Sequence, residues 1–253
     1  MKGTRAIVIS VLAVAVTLPA AASDASREPS HAPNRVNETQ YPAAVGPLAA
    51  PFFTEDFDGG SFPPTGWTVV DNEANGSATT WDLNTTFSDY NGNYTGGAGN
   101  CAMVCSDCDN GDFDVELRSP AIDCTDHNNV VLKFSANYQN FANYDYFEVD
   151  VSADNGATWT NVLTWNEDHG GFGDLPGEPV TLNISSLVDG QSQVMVRFHY
   201  YDPNTNDWDW YVQVDDVAVG ESRVGIPALS SAGIATLLAL FAGGAILVIR
   251  RRI

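Results

Sequence analysis

Positive charge is what this sequence has least of. Between Phe52 and Gly220 the only Lys and Arg residues are Arg118, Lys133 and Arg197, set against 28 Asp and Glu. The net charge of −21 for the 253-residue chain therefore understates the acidity of its middle, which stands at −25. A surface of that sign repels nucleic acid and anionic lipid headgroups, and suits cation binding or solubility in a salty exterior. Helical periodicity is also missing before the C-terminal tail, which argues against an α-rich architecture. Catalytic motifs are lacking as well. There is no H-E-x-x-H and no G-x-S-x-G, and His127, His169 and His199 are scattered. Carboxylates are so plentiful that some pair will fall at glycosidase separation by chance, so such pairs assign nothing. Cysteine is limited to four residues.

What is present is strand. In Tyr144 to Trp165, Phe147, Val149 and Val151 alternate with Glu148 and Asp150, a period of two that sets apolar side chains on one face. Asp154-Asn155-Gly156 tolerates the positive φ of a tight turn, and Thr158 to Trp165 runs back, so the stretch reads as a β-hairpin. Val194, Val196, Phe198 and Tyr200 alternate with Met195, Arg197 and His199, the pattern of a half-buried strand. Further short strands are expected at Gly66 to Val70, Trp81 to Leu83, Val115 to Arg118, Val130 to Tyr138, Val180 to Ile184 and Trp210 to Val219. Eight or more short strands with turns between them predict an all-β, two-sheet sandwich over residues 52–220. Thr86 to Gly111 is a long Gly/Asn/Asp/Cys-rich excursion with little core material, and Glu167 to Pro179 is a second glycine-rich loop. A loop as long as the first is usually functional, metal-bound or stapled.

Both ends of the chain carry address information. Lys2 and Arg5, the apolar run Ala6 to Leu18 and then Ala20-Ala21-Ala22 form the three regions of a signal peptide over residues 1–22, with an uncleaved anchor as the minority alternative. Ser23 to Pro51 is rich in Pro, Ala, Ser and Asn and reads as a disordered linker. Within residues 221–253, Gly225 to Ile249 is uncharged and long enough to cross a bilayer, and Arg250-Arg251-Arg252 follows at once. The arginines should stay cytoplasmic, which puts the sandwich outside.

Two resemblances follow from particular residues. The tail IPALSSAGIATLLALFAGGAILVIRRR resembles an IPTL-type sorting signal through Ile226, Pro227, Leu229 and Ser230, the apolar span and Arg250, Arg251 and Arg252. It departs at Ala228, where the family usually has Thr. That resemblance implies an exosortase-like membrane peptidase as partner, and transfer to the cell surface; without recognition the chain stays as a single-span membrane protein. The blocks EDFDGGSFPPTGW (Glu55 to Trp67), ELRSPAIDC (Glu116 to Cys124), VDVSADNGATW (Val149 to Trp159) and VQVDDVAV (Val212 to Val219) resemble choice-of-anchor J domains, relatives of MAM and cleaved-adhesin domains. This implies a jelly-roll-type β-sandwich and a non-enzymatic adhesion or accessory role. It also implies a metal held between the first strand and the aspartates near the last, here Asp58 with Glu55 and Asp56 beside it, and Asp216 in preference to Asp215. Ser152 to Trp159 is similar to the Asp-box of sialidases, a hairpin-stabilising motif away from the chemistry.

The residues themselves support calcium as the cofactor, since the ion takes six to eight hard oxygens from carboxylates and loop carbonyls. Asp107, Asp109, Asp112 and Asp114 around Gly111 form a second candidate, although no Glu sits at EF-hand spacing. Cys101, Cys105, Cys108 and Cys124 in an exported protein are expected to form two disulfides, with three pairings open; the Cys105-x-x-Cys108 spacing also permits zinc or a redox pair. Tyr138, Tyr144, Tyr146, Tyr201, Trp208 and Trp210 are aromatics that could stack on sugar rings. The expected function is a surface-anchored, calcium-stabilised binding or adhesion module with glycans or matrix proteins as partners. A lectin-like module and an extracellular hydrolase or its accessory domain are the alternatives.

Overall fold

The computed structural model describes residues 48–73, 79–108, 113–141, 144–173, 176–203 and 209–223. The leader, most of the linker, and the tail with Ile226, Pro227, Leu229, Ser230 and the three arginines lie outside the described residues. No helix among the described residues is long and apolar enough to cross a membrane.

The strands are β1 (Phe53–Glu55), β2 (Thr68–Asp71), β3 (Asp82–Leu83), β4 (Ala102–Cys105), β5 (Asp114–Arg118), β6 (Val130–Gln139), β7 (Tyr146–Ser152), β8 (Thr160–Trp165), β9 (Glu178–Asn183), β10 (Met195–Tyr201) and β11 (Tyr211–Glu221). The helical content described is a 3₁₀ turn at Asn84–Thr86 and one α-turn at Ser185–Val188. One sheet runs β3-β4-β11-β6-β9, with β1 beside the far half of β11; the other runs β2-β5-β10-β7-β8. All pairings are antiparallel. From β4 onward each connection changes sheet except β7 to β8, which is the crossing pattern of a jelly roll.

The expected hairpin forms, and its turn is built as the sequence predicts. Asn155 and Gly156 have positive φ (58° and 81°). The Asp154 carboxylate accepts from the Thr158 amide at 2.8 Å and from the Thr158 hydroxyl at 2.6 Å, while Ser152 Oγ accepts from the Gly156 amide at 2.8 Å. Thr158 hydrogen bonds pull the Asp154 carboxyl down to about 2. β10 alternates as expected, with Val196, Phe198 and Tyr200 inward and Met195, Arg197, His199 and Tyr201 half-buried outside.

The core lies between the sheets. Phe198 packs among Trp67, Phe134 and Phe147 at ring separations of 6.4, 5.2 and 6.3 Å. The EDFDGG block serves this core: Phe57, at φ 56°, buries its ring against Trp67. Ser119 closes the next block by donating its amide to the Val196 carbonyl at 2.8 Å and accepting from the Val196 amide through Oγ at 2.9 Å.

Three expectations are corrected. The Thr86 to Gly111 excursion contains β4, fully buried between β3 and β11. Its loops lie over the outer face of the six-stranded sheet, where Met103, Cys105, Trp210 and Tyr211 form a second apolar cluster with Tyr90, Tyr94 and Phe172. Gln213 fixes that cover, donating to the carbonyls of Tyr90 and Gly92 at 2.9 and 2.8 Å and accepting from the Tyr94 amide at 2.7 Å. The linker's last residues are not loose either: Leu48 bridges to Ser222, and the Ala49 amide donates to Glu221 at 2.7 Å. Of the two expected disulfides one is present, Cys105–Cys108. Cys101 and Cys124 are buried free thiols, Cys101 hydrogen-bonded through its amide to Asn84 and Cys124 within the main core. Burial pushes the Cys124 thiol up to about 11, so neither cysteine is poised as a thiolate.

Replacing Phe198 with Ala is expected to lower the unfolding free energy by about 3–5 kcal/mol in urea titrations, because a fully buried ring leaves a cavity between both sheets. Tyr144→Ala, at a side chain 39% exposed, is expected to change it by less than about 0.5 kcal/mol.

Candidate functional site

The strongest convergence of predicted ligands sits where β11 bulges. Alternation along β11 sends Val212 and Val214 inward, then Val217 and Val219. The inward residues are three apart at that point because one residue is inserted between Asp215 and Ala218, and Asp216 takes φ 52°. Such a bulge breaks the two-residue rule. The expected preference for Asp216 over Asp215 is therefore corrected: both carboxylates approach the same loop. A Cβ on Gly97 would fall 2.1 Å from Asp215 Oδ2 and 3.0 Å from Asp216 Oδ2, and one on Gly99 would fall 2.1 Å from Asp58 Oδ1. Glycine is required there because the backbone passes directly between acidic side chains.

Asp58 Oδ1 accepts from the Asn100 amide at 2.7 Å, and Asp215 Oδ2 from Asn93 Nδ2 at 2.7 Å. Glu55 and Asp56 line a shallow cleft with Asp216, Thr54, Val217 and Ala218. Glu55 Oε1 accepts from the Phe57 amide at 2.9 Å, and Asp56 Oδ1 from the Asp58 amide at 3.1 Å. Glu55, Asp56 and Asp216 thus share one cleft, while Asp58 and buried Asp215 approach the Gly97–Asn100 loop nearby; these carboxylates are not among the trios whose ligand atoms lie within 4.8 Å of one another. Burial, aided by the charges of Asp216 and Asp58, pushes the Asp215 carboxyl up to about 6 despite its hydrogen bonds. That is uncompensated negative charge, and the donor set suits a hard, oxygen-seeking cation.

The second expected metal loop is described only in part, with Asp109, Gly111 and Asp112 outside the described residues. Asp107 accepts from the Tyr90 hydroxyl at 3.0 Å beside the disulfide. Asp114 belongs to β5 on the other sheet.

The outer face of that other sheet is the second site, and sequence reading found only part of it. In register across β5, β10 and β7 stand Asp114, Tyr201 and Tyr146, then Glu116, His199 and Glu148, then Arg118, Arg197 and Asp150. Arg197 donates to Glu116 and Asp150, both at 2.8 Å, and Arg118 pairs with Glu116. Both guanidinium groups lie over the Trp159 ring, at 4.8 Å for Arg197 and 5.5 Å for Arg118. His199 Nε2 is 2.7 Å from Asp114 Oδ1, and Nδ1 faces Glu148 Oε2 at 3.8 Å. Burial opposes charge on this imidazole, but Asp114 and Glu148 outweigh it and push its pKa up to about 9. Among the described residues, the trios whose ligand atoms all lie within 4.8 Å of one another are Asp114–Glu116–His199 and Glu148–Asp150–His199. Both are already neutralised by the protonated ring and Arg197. The β10 alternation marked Arg197 and His199 as outward, but their partners come from strands distant in sequence, which alternation alone does not reveal.

The aromatics divide. Tyr146 and Tyr201 stack at 5.4 Å on this face, with His199 continuing the stack at 4.6 Å. Two candidates are corrected: Tyr138 is in the core, and Trp210 is only 3% exposed, held at 4.8 Å edge-on to Phe172 in the second cluster. An indole sealed by that cover cannot offer its face to a ligand. Trp208 lies outside the described residues.

Fold and sites define a two-sheet antiparallel jelly-roll sandwich with one acidic bulge and one polar, aromatic sheet face. No family model matches the chain, and no curated protein matches it. Among solved structures it is similar to the K1 and K3 cleaved adhesin domains of Lys-gingipain from Porphyromonas gingivalis W83. K1 matches at 19% identity and TM-score 0.47 over 67% of this chain and 98% of that one; K3 matches at 20% and 0.48 over 68% and 99%. It is also similar to TmCBM61 in complex with β-1,4-galactotriose, at 12% identity and TM-score 0.41 over 66% of this chain and 94% of that one. At these values the likenesses carry no ligand or role across to this chain.

The raised pKa of His199 fixes the sign of a pH effect. Its stabilising contribution is complete below the unfolded value of 6.5 and is lost as pH rises through about 9. The unfolding free energy is expected to fall between about pH 7 and pH 10, by on the order of 3 kcal/mol, and the melting temperature with it. His199→Gln is expected to flatten that limb of the profile.

Proposed function

We propose that this chain is an exported, surface-held, non-enzymatic binding module of the adhesion type, with a structural calcium ion at Asp58, Asp215 and Asp216. The observation that carries the reading is the state of the outer sheet face. Its one imidazole is kept protonated between two carboxylates, and each arginine is bonded to a carboxylate and stacked on Trp159. A His locked in its charged form cannot accept a proton as general base at neutral pH. A rigid, internally neutralised surface is instead suited to receiving a partner at low ordering cost. Calcium would join the end of β1, the Gly97–Asn100 loop and the β11 bulge, which are otherwise three acidic segments repelling one another. Export and anchoring rest on the leader and on the sorting-type tail, with an exosortase-like peptidase as the partner acting on Ile226 to Arg252.

The stacked Tyr146 and Tyr201 favour a glycan as the bound partner, since sugar C–H faces pack on aromatic rings while Glu148, Asp150 and Asn161 offer hydrogen-bond partners alongside. The binding face would then be the β5-β10-β7 surface, and Trp210 has no part in it.

Chelation is expected to lower the melting temperature by about 5–10 °C if calcium is present near 100 times its dissociation constant. Asp215→Asn is expected to abolish most of that difference, and an equal melting curve with and without chelator would remove the calcium from the account. On a glycan array, Tyr146→Ala combined with Tyr201→Ala is expected to remove binding that Trp210→Phe leaves intact. Loss of binding in Trp210→Phe alone would point away from this face.

A further inference from the structure

Strand register brings an imidazole nitrogen and two carboxylates to one point on the outer face of the five-stranded sheet. His199 of β10 faces Glu148 of β7, and Arg197 faces Asp150 on the next outward pair. One ligand atom from each of Glu148, Asp150 and His199 lies within 4.8 Å of the other two. A ring nitrogen among carboxylate oxygens is a donor set for a divalent transition metal rather than for calcium.

The way the ring is held decides which nitrogen can bind. Nε2 is 2.7 Å from Asp114 Oδ1, and that oxygen also accepts from Asn72 Nδ2 at 2.7 Å. A metal-ligating histidine characteristically donates its second ring N–H to a carboxylate in this way, which turns the other nitrogen towards the ion. Here the other nitrogen, Nδ1, is buried and faces Glu148 Oε2 at 3.8 Å, an ion pair longer than a hydrogen bond. Two bonds of about 2.0–2.2 Å meeting at a zinc ion span a gap of that size.

The carboxylates are fixed from their far sides. Glu148 Oε1 accepts from the hydroxyls of Thr164 and Tyr201, both at 3.3 Å, while Oε2 is the oxygen that faces the ring. Asp150 accepts from Asn161 at 3.1 Å through Oδ1 and from Arg197 at 2.8 Å through Oδ2. Each of these oxygens has a second lone pair to offer. The trio on the other side of the ring, Asp114–Glu116–His199, is less suited. Both Glu116 oxygens are engaged by arginine, and a metal on Nε2 would break the short contact with Asp114. The His199 and Glu148 side chains keep 12% and 21% of their surface exposed, which gives an ion a way in. The ladder sets four carboxylates against three cationic groups, so a divalent ion taking the place of the Nδ1 proton creates no excess positive charge.

We propose that His199 Nδ1, Glu148 and Asp150 form a zinc site that clamps β10 to β7 on the outer sheet face, with Asp114 as the positioning residue that orients the ring. The fourth coordination position faces solvent and would take water or an incoming ligand. This inference rests neither on calcium at the β11 bulge nor on glycan binding.

Calorimetric titration of the chelator-treated full chain with ZnCl₂, in excess CaCl₂, tests it. One zinc ion per chain is expected. His199→Gln and Glu148→Gln are each expected to weaken binding by roughly tenfold or more, and Asp114→Asn by about 10–100-fold. Glu116→Gln is expected to stay close to wild type, and so is Asp215→Asn, which separates this site from the bulge. Ring ¹H–¹⁵N spectra of the wild-type chain need no variant that might fail to fold. The His199 ring, recognised by its nuclear Overhauser contact with the Tyr201 ring 4.6 Å away, is expected to shift at Nδ1 on zinc addition and to keep its Nε2–H. Absence of zinc binding, wild-type affinity in His199→Gln, or an unmoved His199 ring overturns the proposal. Binding lost in Glu116→Gln but kept in Glu148→Gln places the ion in the other trio, and overturns it too.

Discussion

Like-charge repulsion is the constraint that this domain has to answer. With 28 carboxylates against three Lys and Arg between Phe52 and Gly220, long-range balance is unavailable, and each cluster must be settled where it stands. On the outer face of the five-stranded sheet the settlement is internal. Arg118, Arg197 and His199 are spent in one ladder against Asp114, Glu116, Glu148 and Asp150, backed by Trp159. At surface turns it is done by backbone and hydroxyl donors, as around Asp154. The ladder uses both arginines of the Phe52–Gly220 stretch. The carboxylates of the β11 bulge are met instead by N–H donors, Asp58 by the Asn100 amide and Asp215 by Asn93 Nδ2.

β11 gives this electrostatic problem its geometry. It is the longest strand, it pairs with β6 along one edge, and it shares its other edge between β4 and β1. The bulge of this strand faces a segment from elsewhere in the chain, the Gly97–Asn100 loop. A cation proposed there would tie chain segments far apart in sequence, which is where loop-closure entropy makes a tie most stabilising. The outer sheet face is balanced by its own ion pairs.

Much of this was legible in the sequence where the determinants are local. The β7–β8 hairpin follows from alternation and from Asp154-Asn155-Gly156, and β10 from a strict inside-outside pattern. The grouping of Glu55, Asp56 and Asp58 with Asp216 came through a family resemblance, and three of the four, Glu55, Asp56 and Asp216, line one cleft. What was hidden depends on register and layering. β4 is four residues inside a Gly/Asn/Asp-rich stretch, too short to show a period. The bulge that turns Asp215 and Asp216 the same way is a one-residue misregister between β11 and β6, unreadable from β11 alone. Trp210 looked like a free aromatic because the loops covering it come from residues 87–94 and 172. Two disulfides were expected on count alone, whereas Cys101 beside β4 and Cys124 in the main core are free thiols.

The central claim is that specific divalent binding, and not general screening, holds the acidic segments together. The most direct test is the unfolding free energy in urea, measured against added CaCl₂ and against NaCl at matched ionic strength. The account predicts a steep, saturable rise with calcium and a shallow, unsaturated rise with sodium. Equal curves for the two salts would contradict it.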